Sequence, residues 1–276
     1  MYSSTKFAMR QIIAFVVFVC CTAVVSCTGQ QQPPPNGLNS STDCLLDSVA
    51  ITVMGNTRTG KFTWENGLPA TAWMRWPKGL VRDIRYHYDS EHRLIRMEEL
   101  AGGNSFIYVY TDNQMTSIES ESDNSVMLFE YNDAGQIAKQ TYESNGAPTR
   151  VLEFSYDAEG LPVSSTTVDP VTGEQVSRFD FTYADQPNPL SPFGVTINVF
   201  ETSYGYPIGR CGKQLTSVTI NFLRDAKTIV NNAQPRQGDS EEIVWSCEYN
   251  THGWPQYWKM ERGTMVNEAQ FMYGCP

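Results

Sequence analysis

One short pattern recurs through the middle of the chain and constrains its fold more than any other feature. It is a triplet with an apolar or aromatic residue at every second position, and it ends in tyrosine. Successive tyrosines follow at intervals of 22, 21, 25 and 27 residues. A period of two places all three residues on one face of a β-strand. The copies are Ile84-x-Tyr86-x-Tyr88, Phe106-x-Tyr108-x-Tyr110, Met127-x-Phe129-x-Tyr131, Leu152-x-Phe154-x-Tyr156 and Phe179-x-Phe181-x-Tyr183, with Trp245-x-Cys247-x-Tyr249 as a weaker sixth.

Turn-forming residues follow each of the first five triplets, as in Asn132-Asp133-Ala134-Gly135. Asp and Asn form local hydrogen bonds and tolerate the left-handed region, while Gly supplies a positive φ. Each unit of roughly 22 residues therefore makes one β-hairpin. We predict an all-β fold, an antiparallel up-and-down meander of about a dozen strands. We expect a curled or partly closed sheet, because a flat open sheet would expose its edges. The tyrosines are expected in the core, with their hydroxyls reaching water at the strand ends.

Residues 1–26 have the length and polarity of a secretory signal. Lys6 and Arg10 form a positive segment, and the apolar run that follows is too short to span a bilayer, which takes about 20 helical residues. The segment leads into Val24-Val25-Ser26-Cys27, which resembles the bacterial lipobox. That resemblance implies cleavage before Cys27 and lipidation of its sulfur and amino group, and hence attachment to a membrane. The alternative is an ordinary signal peptide that contains a cysteine.

Residues 27–42 are predicted to be the lipidated cysteine and a tether. The Gln- and Pro-rich run at 30–35, followed by Asn, Gly and Ser, cannot bury apolar area, and its prolines favour an extended chain. It would hold the domain some 40 Å from the membrane at most, at about 3.1 Å per residue. Thr28 is not the aspartate that resembles an inner-membrane retention signal, which favours the outer membrane, with the periplasmic or surface face left open. Residues 43–276 are predicted to form a single all-β repeat domain.

The triplets, turns and lipobox resemble two groups of known sequences. The stretch at about 80–190, and 243–260 less closely, is similar to the tyrosine-aspartate (YD/RHS-like) repeats of bacterial surface and secreted proteins. Lipobox, short spacer and hairpin repeats also occur together in uncharacterised lipoprotein families of Gram-negative bacteria. These resemblances imply a repeat fold and an envelope location but no particular chemistry.

Charge and histidine content exclude several functions. The net charge is −10 without a visible basic patch, so we expect no nucleic acid partner. His87, His92 and His252 are too dispersed for a histidine metal site, and we expect no metal and no cofactor. The turn at Asn132–Gly135 carries oxygen ligands that suit calcium, but it lacks the spaced carboxylates of a dedicated loop, which favours a plain turn. No nucleophile or phosphate-loop motif is present, so we assign no catalytic residue.

Exposed aromatic residues are the candidate ligand surface. Trp and Tyr on a rigid sheet stack on sugar rings or bind protein partners. We therefore expect a lipid-anchored cell-envelope binding or scaffolding protein whose ligand is a glycan or another envelope protein. The alternative is a glycan-active hydrolase using an unidentified carboxylate pair, since 30 acidic residues offer many pairs. The surface candidates are Trp254, Tyr257, Trp258, Trp73 and Trp76, with Trp254 and Trp258 on one face with Gln256; the alternative for these residues is core packing.

Four cysteines stay in the chain after signal removal and acylation of Cys27, and in an oxidising compartment they suggest two disulfides. If 215–222 and 243–249 form a hairpin turning near residue 233, Cys247 faces about Thr219 and lies far from Cys211. If 254–260 pairs with a strand on each side, Cys247 is also too far from Cys275. Elimination leaves Cys44–Cys247 with Cys211–Cys275 as the predicted pairing, and unpaired buried thiols are the alternative.

Overall fold

The computed structural model describes residues 45–53, 55–75, 79, 81–100, 103–187, 213–223, 237–251 and 255–274. The regular elements in this part of the chain are all β-strands. In chain order they are β1 (Leu45–Val53), β2 (Asn56–Glu65), β3 (Leu68–Arg75), β4 (Val81–Tyr88), β5 (Leu94–Glu99), β6 (Ser105–Thr111), β7 (Gln114–Ser120), β8 (Ser125–Tyr131), β9 (Ile137–Ser144), β10 (Ala147–Tyr156), β11 (Pro162–Val168), β12 (Gln175–Pro187), β13 (Lys213–Phe222), β14 (Ser240–Tyr249), β15 (Pro255–Arg262) and β16 (Met265–Gly274).

The sixteen strands form one closed antiparallel barrel in which every strand pairs with its neighbours in the chain. The barrel closes where β1 pairs with β16, in a register that runs from Leu45 opposite Gly274 to Val53 opposite Asn267. The predicted all-β antiparallel meander is confirmed. The predicted number of strands, about a dozen, was too small. The sheet is fully closed and not partly closed, because pairing of the first and last strands removes both sheet edges. The predicted boundaries at residues 26 and 42 lie outside the described residues.

Among the residues that the structure describes, no helix is long and apolar enough to cross a membrane.

Alternate residues of the strands face the barrel interior and form one hydrophobic core. Every strand except β11 contributes a buried residue to it. Leu46, Ile118, Met127 and Leu152 are 0% exposed. A side chain lining an open channel would be reached by water, so the described interior is filled with side chains. The triplets all lie on this inner face, as their period of two predicts.

The triplet tyrosines form a ladder of hydrogen bonds at one end of the barrel, which we call the tyrosine end. The tyrosine that ends each of the first five triplets donates its hydroxyl to a backbone carbonyl at or next to the start of the preceding strand, and the Trp64 Nε1 of β2 does the same. The predicted core position is confirmed, and each of these hydroxyls donates to a backbone carbonyl. Burial raises the pKa of Tyr156 and of Tyr183, so both hydroxyls stay protonated donors. The bonds run from Tyr88 to Pro69 (2.9 Å), Tyr110 to Leu94 (3.0 Å), Tyr131 to Met115 (2.8 Å), Tyr156 to Ile137 (2.7 Å), Tyr183 to Pro162 (2.8 Å) and Trp64 to Leu46 (2.8 Å).

Three of the turns that follow these tyrosines share one hydrogen-bond pattern. The Asn132 Oδ1 accepts from the backbone N–H groups of Ala134 at 3.0 Å and Gln136 at 2.9 Å. Asp157 and Asp89 accept in the same way from residues two and four positions later. The side-chain oxygen considered for calcium is therefore used by the turn itself, as the interpretation of this segment as a plain turn predicts.

Candidate functional site

A group of charged side chains faces inward at the end of the barrel opposite the tyrosines, which we call the arginine end. Even-numbered strands start there and odd-numbered strands finish there. The residues follow the same alternation as the core: Arg58 is in phase with Phe62, and Arg150 with Leu152. Among the described strand residues, the inward charged residues at this end are Arg58, Arg82, Glu99, Arg150, Glu241 and Arg262. Four of these six described residues are arginines, in a chain whose net charge is −10.

Both inward glutamates are ion-paired with an arginine. The Arg262 guanidinium binds Glu241 through two nitrogens, with Nε to Oε1 at 2.8 Å and Nη2 to Oε2 at 2.6 Å. Arg82 Nε lies 3.1 Å from Glu99 Oε1. Arg262 is only 6% exposed, so removing either partner of its pair would leave a buried charge, at a cost of about 3–5 kcal/mol. These two pairs hold the strands of the arginine end together.

Arg58 and Arg150 are the other two inward arginines at this end. The Arg150 guanidinium lies over the Tyr142 ring, 5.6 Å from its centroid. Gln140 donates a hydrogen bond to the Tyr142 hydroxyl at 3.0 Å, which fixes the ring beneath the guanidinium. Arg58 lies opposite Ile51 on β1. A cation held over an aromatic ring keeps its N–H donors directed away from the ring face, where an anion can reach them.

Polar atoms without a protein hydrogen-bond partner lie on the same inner face. They are the Ser165 Oγ and Thr167 Oγ1 on β11 and the Asn267 Oδ1 on β16. Ser165 is 1% exposed, and Thr167 lies opposite Leu152, the inward residue next to Arg150 on β10. A buried polar group with no partner costs about 1–3 kcal/mol. Ser165 lies between Phe154 and Phe179 in the middle of the core, whereas Thr167 and Asn267 lie near the arginine end, where a ligand that offers hydroxyl or carboxylate groups would satisfy them.

The hydrolase alternative gains no support from these carboxylates. Glu99 and Glu241 lie on strands β5 and β14, which are not neighbours, and each is paired with its own arginine. Partial burial raises the pKa of Asp89 at the tyrosine end, but hydrogen bonds from Arg93 and from the Glu91 backbone outweigh this effect and lower its pKa. A lowered pKa keeps this carboxyl ionised at neutral pH, the opposite of what a general acid needs.

The predicted aromatic ligand surface is not assembled in one place. Trp258 lies in the core, 8% exposed, and does not share a face with Gln256, which is exposed. The reason is a bulge: Glu248 pairs with Tyr257 but Tyr249 pairs with Pro255, so Gln256 is an extra residue that reverses the alternation. This prediction was wrong for Trp258. Trp254 and Trp76 lie outside the described residues.

The two other surface candidates are on the outer wall but far apart. Trp73 pairs with Lys61 and Asp83, and Tyr257 pairs with Glu248 and Gln270. Their strands β3 and β15 are separated by four strand spacings, about 19 Å around the wall at about 4.8 Å per strand. A hydrogen bond with Glu268 raises the pKa of Tyr257 to about 12. Neither residue forms a surface with the other.

The predicted disulfide pairing assumed a register between β13 and β14 that differs from the one in the structure. Thr219 pairs with Glu242 and Ser217 with Val244, so Cys247 lies five residues beyond the position opposite Thr219. The expected pairing of β15 with both neighbours is confirmed. Cys247 is a free thiol, and burial raises its pKa to about 11. Its predicted bond to Cys44 therefore gains no support, and Cys27, Cys44, Cys211 and Cys275 lie outside the described residues.

Sequence reasoning missed the arginine end, although the sequence carried a signal for it. Arg82 and Arg150 each stand two residues before a triplet, which extends the period of two by one step. An arginine two residues before an apolar triplet faces the same side of the strand as the triplet, so it indicates where the apolar core ends and a polar end of the barrel begins. The partners that lie on other strands could not be read from this spacing.

Comparison with known proteins identifies no family. No protein-family profile matches the chain, and no curated protein matches it. Among solved structures, a porin-like protein from Bacteroides uniformis is 14% identical, with a TM-score of 0.40 over 83% of this chain and 96% of that one. A porin-like protein from Bacteroides vulgatus is 8% identical, with a TM-score of 0.23 over 84% and 87%. A TcdB2–TccC3–Cdc42 structure is 11% identical, with a TM-score of 0.31 over 79% of this chain but only 14% of that one. Scores this low assign no function to the chain.

Proposed function

We propose that the protein is a lipid-anchored cell-envelope protein that binds an acidic glycan at the arginine end of its barrel. The single observation that carries the proposal is the cluster of four inward arginines at one end of the barrel, on the same inner face as buried polar atoms of Thr167 and Asn267 that have no described hydrogen-bond partner. Arg58 and Arg150 supply charge-assisted donors for carboxylate groups. Thr167 and Asn267, near the arginine end of β11 and β16, supply atoms that bond sugar hydroxyls.

The filled interior supports binding over transport. The triplet side chains occupy the space that a porin leaves to water. A barrel filled in this way has no continuous aqueous path along the described strands. What it offers to a solute is the surface at its ends and its outer wall.

The outer wall supports a domain held in water on a tether. Ion pairs lie on the outer wall, such as Lys139 with Glu130 at 2.6 Å, Arg178 with Asp180 at 2.8 Å and Lys259 with Glu261 at 2.7 Å. A barrel embedded in a bilayer faces the lipid with an apolar band. A lipid on Cys27 would then be what joins the protein to the membrane.

A binding assay with matched arginine variants tests the proposal. The full-length protein in detergent is titrated with a uronic-acid polysaccharide and with a neutral glucan, and heats of binding are measured. We expect the acidic polymer to bind and the neutral one not to bind. Arg150→Gln should weaken binding about tenfold or more, because hydrogen bonds to charged groups contribute about 1.5–3 kcal/mol. The control Arg85→Gln makes the same charge change on the exposed outer wall and should leave the affinity unchanged.

Thr167→Val separates binding from folding. Removing a buried hydroxyl that has no protein partner should leave the melting temperature equal or higher, yet weaken binding of the acidic polymer several-fold. Equal losses in Arg150→Gln and Arg85→Gln would mean that overall charge, and not the arginine end, attracts the polymer. Binding of an envelope protein instead of any acidic glycan would assign the ligand to the other class and overturn the proposal.

A further inference from the structure

We propose that one uronic acid unit of the glycan binds beside Arg150, within an arc of inward Ser and Thr side chains. This inference rests on the function proposed above, and it names the sugar and its place within the arginine end. The side chains of the arc lie on the strands to either side of β10. They are Ser120 on β7, Ser125 on β8, Ser144 on β9, Thr167 on β11 and Ser177 on β12, and we call them the hydroxyl arc.

The strand registers place the hydroxyl arc on the inner face of the barrel. Thr167 pairs with Leu152 of the core and with Ser177. Each of the four serines stands two positions from a core residue on its own strand, and residues two positions apart share a face. Arg150 of β10 pairs with Tyr142 of the core, so the arginine lies on the same inner face as the hydroxyls on either side. The core neighbours of the serines are Ile118 for Ser120, Met127 for Ser125, Tyr142 for Ser144 and Phe179 for Ser177.

Charged and hydroxyl side chains divide the arginine end into two halves. Both ion pairs, Arg82 with Glu99 and Arg262 with Glu241, lie on β4, β5, β14 and β15. The hydroxyl arc occupies β7 to β12 on the other side, where Arg150 is the inward charged residue among those that the structure describes. A ligand with one negative charge and several hydroxyl groups therefore matches this half of the arginine end better than the half that carries the ion pairs.

The guanidinium of Arg150 suits a carboxylate. It lies over the Tyr142 ring, 5.6 Å from the ring centroid, and Gln140 donates to the Tyr142 hydroxyl at 3.0 Å. These two contacts fix the position of the positive charge. A guanidinium presents its N–H donors in a planar fork that matches both oxygens of a carboxylate. One arginine between hydroxyl groups therefore favours a sugar that carries one carboxylate, which is a uronic acid.

The hydroxyl groups nearest to Arg150 suit the rest of the sugar. A Ser or Thr hydroxyl both donates and accepts hydrogen bonds, as a sugar hydroxyl does. The Thr167 Oγ1 is buried without a described hydrogen-bond partner, and Ser177 opposite it is 7% exposed. Asn145 donates to the Ser144 Oγ at 3.4 Å, which leaves the Ser144 hydroxyl proton to be donated. These three hydroxyl residues lie on strands within two spacings of β10, about 10 Å, so one sugar unit contacts all of them.

The other two members of the hydroxyl arc serve the turn between β7 and β8. Ser125 donates a hydrogen bond to Asp123, and the hydroxyls of Ser120 and Ser122 share one at 3.1 Å. The Asp123 carboxylate also repels an anion, because like charges repel. The uronic acid is therefore placed on the β9 to β12 side of the arc.

Competition between a single sugar and the polymer tests the placement. The full-length protein in detergent is loaded with the uronic-acid polysaccharide, and a methyl glycoside is then added while the heat of displacement is measured. Methyl glucuronide carries the carboxylate, methyl glucoside lacks it, and methyl glucoside 6-sulfate carries a sulfate group instead. We expect the glucuronide to displace the polymer and the other two glycosides to leave it bound.

Two adjacent threonines provide a matched pair of variants. Thr167→Val replaces an inward hydroxyl with a methyl group and should weaken glucuronide binding about three- to tenfold, because one hydrogen bond to the sugar is lost. Thr166→Val makes the same change on the outer wall, where Thr166 pairs with Glu153 and Arg178, and should leave the affinity unchanged. Ser177→Ala should lose affinity as Thr167→Val does, and thermal melting checks that each variant is folded.

Failure of this placement differs from failure of the proposed function. A polymer that binds the parent protein but is not displaced by methyl glucuronide would overturn the placement and leave the proposed function standing. Displacement by the sulfate ester alone would overturn the choice of a carboxylate. Equal losses in Thr167→Val and Thr166→Val would overturn the role of the hydroxyl arc. A parent protein that binds no acidic polymer would overturn the proposed function and the placement together.

Discussion

One turn position shows how much a single residue can matter in a repeated fold. His92, Gly135 and Gly160 each stand three residues after the turn's Asp or Asn, with φ of 63°, 74° and 84°. Only the first copy carries a side chain at this left-handed position. An L-residue there is strained because its Cβ crowds the backbone, whereas Gly is not.

Replacing His92 with Gly should therefore stabilise the barrel by about 0.5–1 kcal/mol. The measurement is the urea midpoint of the purified protein. Gly135→Ala makes the reverse change at the matching position and should lower the midpoint. If His92→Gly lowers the midpoint instead, the side chain of His92 has contacts that outweigh the strain.

The core residues show what could be predicted at this scale. The triplets were placed correctly because an aromatic residue at every second position leaves one face to bury. The carbonyl partners of the tyrosine hydroxyls were missed. Each partner lies 16 to 21 residues earlier in the chain, as Leu94 does for Tyr110 and Pro162 for Tyr183, and it is a backbone atom that leaves no mark in the sequence.

Among the elements, strands were easier to predict than registers. A bulge inserts one residue, and nothing in the composition of Gln256 announces it. The bulge nevertheless moved Trp258 from the expected surface to the core. The register between β13 and β14 was missed for another reason: a long connection allows many registers, whereas a two-residue turn such as Asn145-Gly146 fixes one.

The tyrosine ladder is the device that ties each hairpin to the preceding one. Tyr131→Phe removes the donor to the Met115 carbonyl and leaves that acceptor unsatisfied, so we expect a loss of about 1–2 kcal/mol. Thermal unfolding of the two proteins measures it. Tyr257→Phe on the outer wall is the matched control and should lose less, since its surroundings are open to water. An equal loss in both variants would show that the ladder bonds contribute nothing beyond an ordinary surface hydroxyl.

At the scale of the whole molecule, the full closure of the sheet into a barrel could not be predicted from the sequence. The alternation in each strand predicts a sheet with one buried face but does not say which strand meets the last one. Closure of the described strands followed from the pairing of β1 with β16, two segments separated by most of the chain. The arginine end escaped prediction for the same reason, because Glu99 and Arg82, or Glu241 and Arg262, meet only when their strands are paired.

The proposed attachment of the molecule to a membrane can be tested by replacing Cys27. In the function proposed above, a lipid on Cys27 attaches the protein to the membrane. A serine hydroxyl cannot replace the thiol in that modification. Cys27→Ser should therefore release the protein from the membrane fraction or leave the signal uncleaved, as followed by fractionation and by the mass of the chain. Cys247→Ser is the control and should stay with the membranes. A Cys27→Ser protein that is cleaved, unmodified and still bound to membranes would show that something other than a lipid holds the protein there.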